Sequence, residues 1–228
     1  IRRESAMDIG IIGAGYIGGT LTRRLAALGH QVRVANSRSP ETLAELAAET
    51  GANAVWANEA ARDAELVILS IPQKSVLELA DGILATAKPG APLLETNNYY
   101  PQRDGFIEAI EAGTPESVWV AEQLGVPVYK AFNNIWWKHL LEKGKPAGAA
   151  DRIALPIAGS DEPARAQVFA LIDALGFDPV YAGPLEESWR QHPGTPVYGK
   201  DYDIAGVRRA LAEASPERPA EFRAERAG

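Results

Sequence analysis

Short apolar runs alternate with stretches of helical spacing from the start of the chain. The run Asp8–Ile12 ends in Gly13, and apolar residues then recur at helical spacing from Tyr16 to Leu28 before Gly29. A second apolar run, Gln31–Ala35, follows at once. This pattern predicts a strand, a tight turn, a helix and a second strand, so that one βαβ unit is complete by residue 35.

The same alternation continues to about residue 131. Ser39 and Pro40 suit the N-cap and first turn of a helix that runs through Ala48. The further elements that we predict are strand Leu66–Ile71, helix Ser75–Ala85, strand Pro92–Glu95, helix Glu116–Leu124 and strand Pro127–Ala131. Strands that alternate with helices favour a doubly wound parallel sheet. We therefore predict an α/β fold with a Rossmann-type domain over residues 7–131.

The pattern changes after Phe132, where an aromatic stretch and a glycine-rich loop precede further short elements. The elements predicted there are strand Ile153–Ala158, helix Glu162–Leu175, strand Pro179–Tyr181 and helix Asp203–Ala214. We interpret residues 132–214 as a smaller α/β lobe that carries the acceptor. Residues 215–228 are charged and nearly free of large apolar side chains, so we expect a mobile tail. Residues 1–6 precede the first predicted strand and are left out of the fold.

Composition excludes several kinds of chemistry. The chain has no Cys, which excludes disulfides, thiolate metal sites and cysteine nucleophiles. The formal net charge of -7 provides no field that would gather nucleic acid or an anionic membrane. Without a long apolar segment or a secretory leader, we expect a cytoplasmic protein that binds neither. His30, His139 and His192 lie far apart without acidic companions at ligand spacing, so we predict no metal site.

The segment Gly13–Gly18 is a G-x-G-x-x-G that follows a predicted strand and opens a predicted helix. In such a turn the first glycine allows the sharp bend, the second lets the backbone approach a pyrophosphate, and the third lets the helix lie close to the strand. A glycine-rich turn without a ligand is the alternative. The matching strands on both sides favour dinucleotide binding.

The end of the second strand indicates which dinucleotide would bind. NAD-binding folds tend to carry Asp or Glu there, whereas this chain has Asn36, Ser37 and Arg38. A hydroxyl and a guanidinium suit a 2′-phosphate, so we predict NADP(H). The alternative is a solvated arginine beside a helix cap.

Two further loops lie at the predicted carboxyl edge of the sheet. Ser70-Ile71-Pro72 ends one strand, where proline forces the chain to turn, and Thr96–Pro101 follows the next strand. Either loop could face the cofactor, or it could only terminate its strand. The residues that we predict to hold the cofactor are Gly13, Gly15, Tyr16, Ile17, Gly18, Asn36, Ser37, Arg38, Ser70, Ile71, Pro72, Asn97, Ala131, Phe132 and Asn133.

Several of these motifs together resemble the NADPH-dependent coenzyme F-420 reductases. The segments that carry the resemblance are Gly13–Gly19, Asn36–Arg38, Ser70–Pro72, Thr96–Pro101, Lys130–Asn133 and Ala182–Leu185. The chain is also similar to the cytosolic reductase domain of the six-transmembrane ferric reductases. The likeness extends over about residues 8–214.

This resemblance implies a two-lobed fold, in which the nicotinamide lies beside Ala131-Phe132-Asn133 and the acceptor stacks on it. Ser37 and Arg38 would hold the 2′-phosphate, and Ile71-Pro72 would pack along the ribose. Hydride would pass directly between NADPH and the acceptor, which needs two faces in contact more than an acid or base. A homodimer is also implied. Residues 187–196 depart from the family pattern, which leaves the acceptor open between coenzyme F-420 and another flavin-like molecule.

Three residues near the expected cleft are candidates for direct contact with substrate. Trp136 could stack on the acceptor, His139 could protonate it, and Asn133 could orient it; core packing is the alternative for each. Short-chain dehydrogenases need a tyrosine with a lysine four residues later. Tyr99, Tyr100 and Tyr129 have no lysine at that spacing, so this chemistry is not encoded. Two hypotheses follow: an NADPH-dependent oxidoreductase with a small soluble acceptor, or a non-catalytic NADP(H)-binding redox sensor.

Overall fold

The computed structural model describes residues 6–79, 81–160 and 163–225. In these residues eight strands form one sheet: β1 (Asp8–Ile12), β2 (Gln31–Ala35), β3 (Asn53–Ala54), β4 (Leu66–Leu69), β5 (Leu93–Glu95), β6 (Val128–Lys130), β7 (Ala154–Ala158) and β8 (Asp178–Gly183). Their order is β3-β2-β1-β4-β5-β6-β7-β8. The first six strands are parallel, which confirms the predicted doubly wound α/β fold.

Helices cover both faces of this sheet. They are α1 (Tyr16–Ala27), α2 (Ala44–Thr50), α3 (Ala57–Ala60), α4 (Pro101–Asp104), α5 (Glu108–Glu111), α6 (Glu116–Leu124), α7 (Trp137–Glu142), α8 (Ala164–Ala174) and α9 (Ile204–Glu213). Shorter 3-10 segments are Pro40–Leu43, Gln73–Glu78, Leu185–Gln191 and Ala220–Phe222. The central strands β1 and β4 bury almost every side chain, as expected for parallel strands that are covered on both sides.

The predicted helix Ser75–Ala85 is wrong. The chain forms the 3-10 segment Gln73–Glu78 instead, and Leu79 is already extended. Gly82 then adopts a φ of 72°, a left-handed conformation that an α-helix does not accommodate. The predicted strand Leu66–Ile71 also ends two residues early, at Leu69.

Two predicted helix starts also differ. Ser39 makes no side-chain cap; its carbonyl accepts a hydrogen bond from the Thr42 hydroxyl at 2.7 Å, and Pro40 opens a 3-10 turn before α2. The predicted start at Glu162 lies outside the described residues, and α8 begins at Ala164. The helix predicted from Asp203 does have a side-chain cap, because the Asp203 carboxylate accepts from the backbone N–H of Gly206 at 2.7 Å.

The residues after 132 continue the same sheet. β7 runs antiparallel to β6, pairing Ala158 with Lys130, and β8 pairs parallel to β7. One apolar core extends from β1 to side chains of α8 and the loop after it, such as Phe177. The division of the chain near residue 131 into two lobes stays a prediction.

The C-terminal segment lies against the body of the protein as far as it is described. The ring of Phe222 packs 6.4 Å from that of Tyr100, and the Gln102 amide donates to the carbonyl of Glu221 at 3.0 Å. Residues 215–225 therefore contact the body of the protein, and the mobility expected of this tail stays a prediction. Residues 226–228 lie outside the described residues, as do residues 1–5. Within the described ranges, no helix has the length and apolar character that a membrane crossing requires.

Candidate functional site

The glycine turn lies between the carboxyl ends of β1 and β4. Gly13 has a φ of 107°, and a Cβ there would lie 1.9 Å from the Ser70 carbonyl oxygen. A Cβ on Gly18 would lie 1.9 Å from the carbonyl oxygen of Gly13. A Cβ on Gly15 would meet nothing within 4 Å. The fold itself therefore requires the first and third glycines, whereas the second leaves an open space at the N-terminus of α1, where an anion would be favoured.

A cavity of about 690 Å³ continues from this turn across the ends of β2 and β4. It is lined by Ile12, Gly13, Asn36, Ser37, Arg38, Trp56, Ala57, Asn58, Glu59, Ile71, Ser75, Glu78, Leu79 and Ile83. Gly13 of the predicted turn, residues 36–38 after β2, and Ile71 after β4 therefore line the same cavity. Sequence analysis missed Trp56, Ala57 and Asn58, although their position just after the two-residue strand β3 would have indicated this edge once that strand was recognised.

The loop after β2 is held by its own side chains. The Asn36 carbonyl oxygen Oδ1 accepts from the Arg38 backbone N–H at 2.8 Å, and the Asn36 amide donates to the Thr42 hydroxyl at 2.9 Å. The guanidinium of Arg38 has no hydrogen bond or ion pair with any described residue. Two carboxylates, Glu59 and Glu78, line the same cavity, but neither forms an ion pair with the Arg38 guanidinium. Arg38 therefore presents free donors beside an open cavity.

The loops after β4 and β5 are linked to each other. The Ile71 backbone N–H donates to Asn97 Oδ1 at 2.9 Å, and the Thr96 hydroxyl donates to the Ser70 hydroxyl at 2.9 Å. The Asn97 amide nitrogen Nδ2 is buried without a partner in the described part of the chain. An unpaired buried donor is costly, so this atom is a candidate to bind a ligand or water.

The turn after β6 is buried and constrained. Phe132 has a φ of 60°, rare for an aromatic residue, and is fully buried. The Asn133 side chain accepts from the Gln191 amide at 2.9 Å and donates to Asn98 Oδ1 at 3.0 Å, and the Asn98 amide donates back to the Asn133 carbonyl at 2.9 Å. Ala131 is fully buried as well. These predicted nicotinamide contacts therefore form a wall beneath the surface, and their contact with a cofactor stays a prediction.

Aromatic side chains from the turn and α7 lie together beside the glycine turn. Tyr16 is 76% exposed and stacks on Trp137, with ring centroids 5.3 Å apart. Trp136 meets Trp137 at an interplanar angle of 69° and leaves about half of its surface exposed. The ammonium of Lys138 lies 5.1 Å from the Trp136 ring centroid. Trp136 therefore keeps an exposed part of its indole, although Lys138 and His139 both lie against the ring.

His139 has an acidic companion that sequence analysis missed. Its Nδ1 lies 2.8 Å from an oxygen of Asp201, which also accepts from Lys143 at 2.8 Å. Partial burial acts to raise the pKa of Asp201, but the hydrogen bonds from Lys143 and His139 outweigh it and lower the pKa. Asp201 is 62 residues away in sequence, so local spacing gave no signal. Among the described residues no group of three or more side chains has the arrangement of a metal site.

A buried cluster of charged groups, Glu95–Lys130–Glu116, lies beneath these loops. All three side chains are fully buried, and the Lys130 ammonium donates to the Asn97 carbonyl at 2.8 Å and lies 3.5 Å from Glu95 and 3.9 Å from Glu116. Burial raises the pKa of Glu95. Burial would also raise the pKa of Glu116, but Lys130 and Arg218 outweigh it and keep that pKa below its usual range.

The first part of the chain resembles a known protein family in sequence. The sequence pattern of the family described as "NADP oxidoreductase coenzyme F420-dependent" matches residues 8–99. The matched segment is less than half of the 228-residue chain, and over that segment the chain is similar to this family. The resemblance expected from the motifs is thereby confirmed over the glycine turn and the loops after β2, β4 and β5.

Individual proteins resemble different shares of this chain. The Escherichia coli (strain K12) protein YjhV is 47% identical over 67 residues, which are 29% of this chain and 48% of YjhV, so the match spans about half of that relative. The crystal structure of the hypothetical protein SMa0349 from Sinorhizobium meliloti is 29% identical, with a TM-score of 0.71, over 87% of this chain and 96% of that one.

Two further structures show the shared fold. A candidate F420-dependent NADP reductase from Arthrobacter sp. FB24 is 22% identical, with a TM-score of 0.63, over 80% of this chain and 87% of that one. A reductive aminase from Aspergillus terreus, solved with NADPH and ethyl levulinate, is 17% identical, with a TM-score of 0.54, over 80% of this chain and 56% of that one. Each of these likenesses covers more of the chain than the family pattern, which stops at residue 99, before the turn after β6.

Proposed function

We propose that the chain is an NADPH-dependent oxidoreductase that transfers hydride between NADP(H) and a planar acceptor of the flavin type, such as coenzyme F-420. The observation that carries this proposal is the open space at Gly15, which adjoins a cavity bordered by the unpaired guanidinium of Arg38. The similarity of residues 8–99 to a family of NADP oxidoreductases supports it.

The residues of the cavity fit a dinucleotide with a 2′-phosphate. The free N–H groups at the start of α1 suit a pyrophosphate in the space above Gly15. Ser37 and Arg38 are exposed at the end of β2, where the 2′ position of a dinucleotide lies in such folds. Ile71 and Trp56 offer apolar surface in the lining of the cavity. NADPH, when bound, supplies the hydride.

The other residues of the site would position and shield the reactants. Asn97 has a buried amide donor without a partner, and Asn98 fixes the turn at Asn133. The exposed part of the Trp136 indole suits stacking by a planar acceptor. Positioning of two bound rings can supply several kcal/mol of a barrier, with about 7–11 kcal/mol as the upper range. We therefore assign no side chain as acid or base.

Cofactor titration tests the choice of dinucleotide. A charge-assisted hydrogen bond contributes roughly 1.5–3 kcal/mol, so Arg38→Ala should weaken NADPH binding by about ten- to a hundredfold and leave NADH binding nearly unchanged. The matched control is Arg209→Ala, which removes an exposed arginine from α9 on the opposite part of the sheet. This control should change the affinity for neither NADPH nor NADH. Equal losses for both dinucleotides in Arg38→Ala would contradict a 2′-phosphate contact.

Anaerobic turnover with deuterated NADPH tests the chemistry. Deuterium at the transferred position should appear on carbon of the reduced acceptor when deazaflavin and imine acceptors are assayed. With flavin and quinone acceptors the label exchanges with water from nitrogen or oxygen, so its loss from the cofactor is measured instead. A protein that binds NADPH tightly but oxidises it with none of these acceptors would instead behave as a redox sensor.

A further inference from the structure

The C-terminal segment brings a cation to the buried charged cluster. The Arg218 guanidinium donates to a carboxylate oxygen of Glu116 at 2.9 Å and lies over the ring of Tyr99, 5.2 Å from its centroid. Its side chain is only 13% exposed, and that of Glu116 is fully buried. A contact this well shielded from water is far stronger than an exposed ion pair.

Arg218 balances the charge of the cluster. The Glu95–Lys130–Glu116 cluster by itself holds two carboxylates and one ammonium, and Arg218 adds the second cation. The fifth group, His192, contributes none, because burial lowers its pKa to about 3 and it accepts from the Glu116 backbone N–H at 3.4 Å. Without Arg218 the buried cluster would carry one uncompensated negative charge, which is costly in the interior.

The same cluster holds the loop 96–101. Glu116 accepts from the Tyr99 backbone N–H at 3.0 Å, and Lys130 donates to the Asn97 carbonyl at 2.8 Å. Asn97 in turn accepts from the Ile71 N–H, and Asn98 is bonded to Asn133. This loop therefore connects the buried charges to both sides of the proposed cofactor site.

We propose that Arg218 is a positioning residue: from the C-terminal segment it completes the buried Glu95–Lys130–Glu116 cluster and thereby holds the loop 96–101 in place. Other contacts also hold the C-terminal segment against the loop 96–101 and its neighbours. The Ala224 N–H donates to Glu111 at 2.8 Å, and a Cβ on Gly194 would lie 2.8 Å from Pro219, so the segment fits closely over the loop and its neighbours. The link to cofactor binding rests on the proposed function, whereas the exchange and unfolding measurements below need no ligand.

Amide exchange of the full chain tests the positioning directly. In Arg218→Gln, the Tyr99 and Ile71 amides should exchange about tenfold faster than in the parent protein, while the amides of β2 stay unchanged. Arg218→Lys, which keeps the charge, should restore slow exchange. Arg209→Gln is the control, because it removes an exposed arginine of α9. Unchanged exchange of Tyr99 in Arg218→Gln would overturn the proposal.

The pH dependence of unfolding separates charge from packing. Glu116 faces Lys130, Glu95, His192, Arg218 and the Tyr100 hydroxyl. In the parent protein the folded-state pKa of Glu116 lies below its usual range, and Arg218 is one cause, so loss of Arg218 should raise that pKa. The destabilisation by Arg218→Gln should therefore be smallest in acid, where Glu116 is protonated, and should grow as the pH rises through the pKa of Glu116 in the folded variant. Glu116→Gln with Arg218→Gln should abolish this dependence. A pH-independent loss would show that Arg218 only packs.

Cofactor titration then completes the test. If the parent protein binds NADPH, Arg218→Gln should weaken binding by about three- to tenfold and Arg218→Lys should recover it. If the parent protein binds no dinucleotide, the proposed function fails, and exchange and unfolding still decide the role of Arg218.

Discussion

The three glycines of the turn should respond very differently to the same added methyl group. In Gly18→Ala the new Cβ would lie 1.9 Å from the Gly13 carbonyl oxygen, and in Gly13→Ala it would lie 1.9 Å from the Ser70 carbonyl oxygen. Both contacts are with backbone, which cannot move aside as a flexible side chain would. Overpacking of this kind costs roughly 1–3 kcal/mol or more, so both variants should lose stability.

Gly15→Ala should leave the apo protein nearly as stable as the parent. Its φ of -73° suits any residue, and the added Cβ meets nothing. Alanine is a poorer N-cap than glycine, which lowers stability, but it also reduces the entropy of the unfolded chain, which raises stability. Each effect is about 0.5–1 kcal/mol, so the two roughly cancel. A pyrophosphate seated on the backbone would lose at least one charge-assisted hydrogen bond, so NADPH binding should weaken by about ten- to a hundredfold. Gly15→Val should be worse.

Urea unfolding without ligand and NADPH titration measure the two quantities separately. The expected result is a crossed pattern, in which Gly15→Ala keeps its unfolding midpoint and loses affinity, while Gly18→Ala loses its midpoint. Parent-like NADPH affinity in a folded Gly15→Val would refute the reasoning, because the open space would then serve something other than the pyrophosphate.

Two further predictions concern other parts of the chain. Asp203→Ala should lower the free energy of unfolding by about 1 kcal/mol, because it removes the N-cap of α9; urea unfolding measures this, and Glu213→Ala at the exposed end of the same helix should change little. Trp136→Ala should raise the KM for a planar acceptor by about tenfold, while Trp136→Phe and His139→Ala keep most of the turnover; a larger loss in His139→Ala would assign the chemistry to the histidine instead.

The loops that line the candidate cavity could be predicted from sequence because their signals are local. The turn Gly13–Gly18 directly follows β1, and the loop 36–38 directly follows β2. Helix α6 also spans the predicted residues, because Pro115 and Gly125 bracket it. The helix predicted at Ser75–Ala85 does not form, because the chain is already extended at Leu79 and Gly82 has a left-handed φ.

The buried charges could not be predicted, because nothing local distinguishes them. Glu95 and Glu116 resemble the surface carboxylates of an acidic chain, and their partners Lys130 and Arg218 are 14 to 102 residues away from Glu116. The expectation of a mobile tail rests on composition, and composition gives no sign of the contact between Arg218 and the buried Glu116.

The placement of the tryptophans gives the protein an intrinsic fluorescent reporter. Trp56 borders the cavity, and Trp137 stacks on Tyr16 in the glycine turn, whereas Trp119 is buried in α6. A dinucleotide in the cavity would alter Trp56 emission by contact, in either redox state. A reduced nicotinamide also absorbs where indoles emit, so energy transfer from Trp136 and Trp137 would report the reduced form alone. Comparing the parent with Trp56→Phe would then follow occupancy and redox state separately, without any added dye.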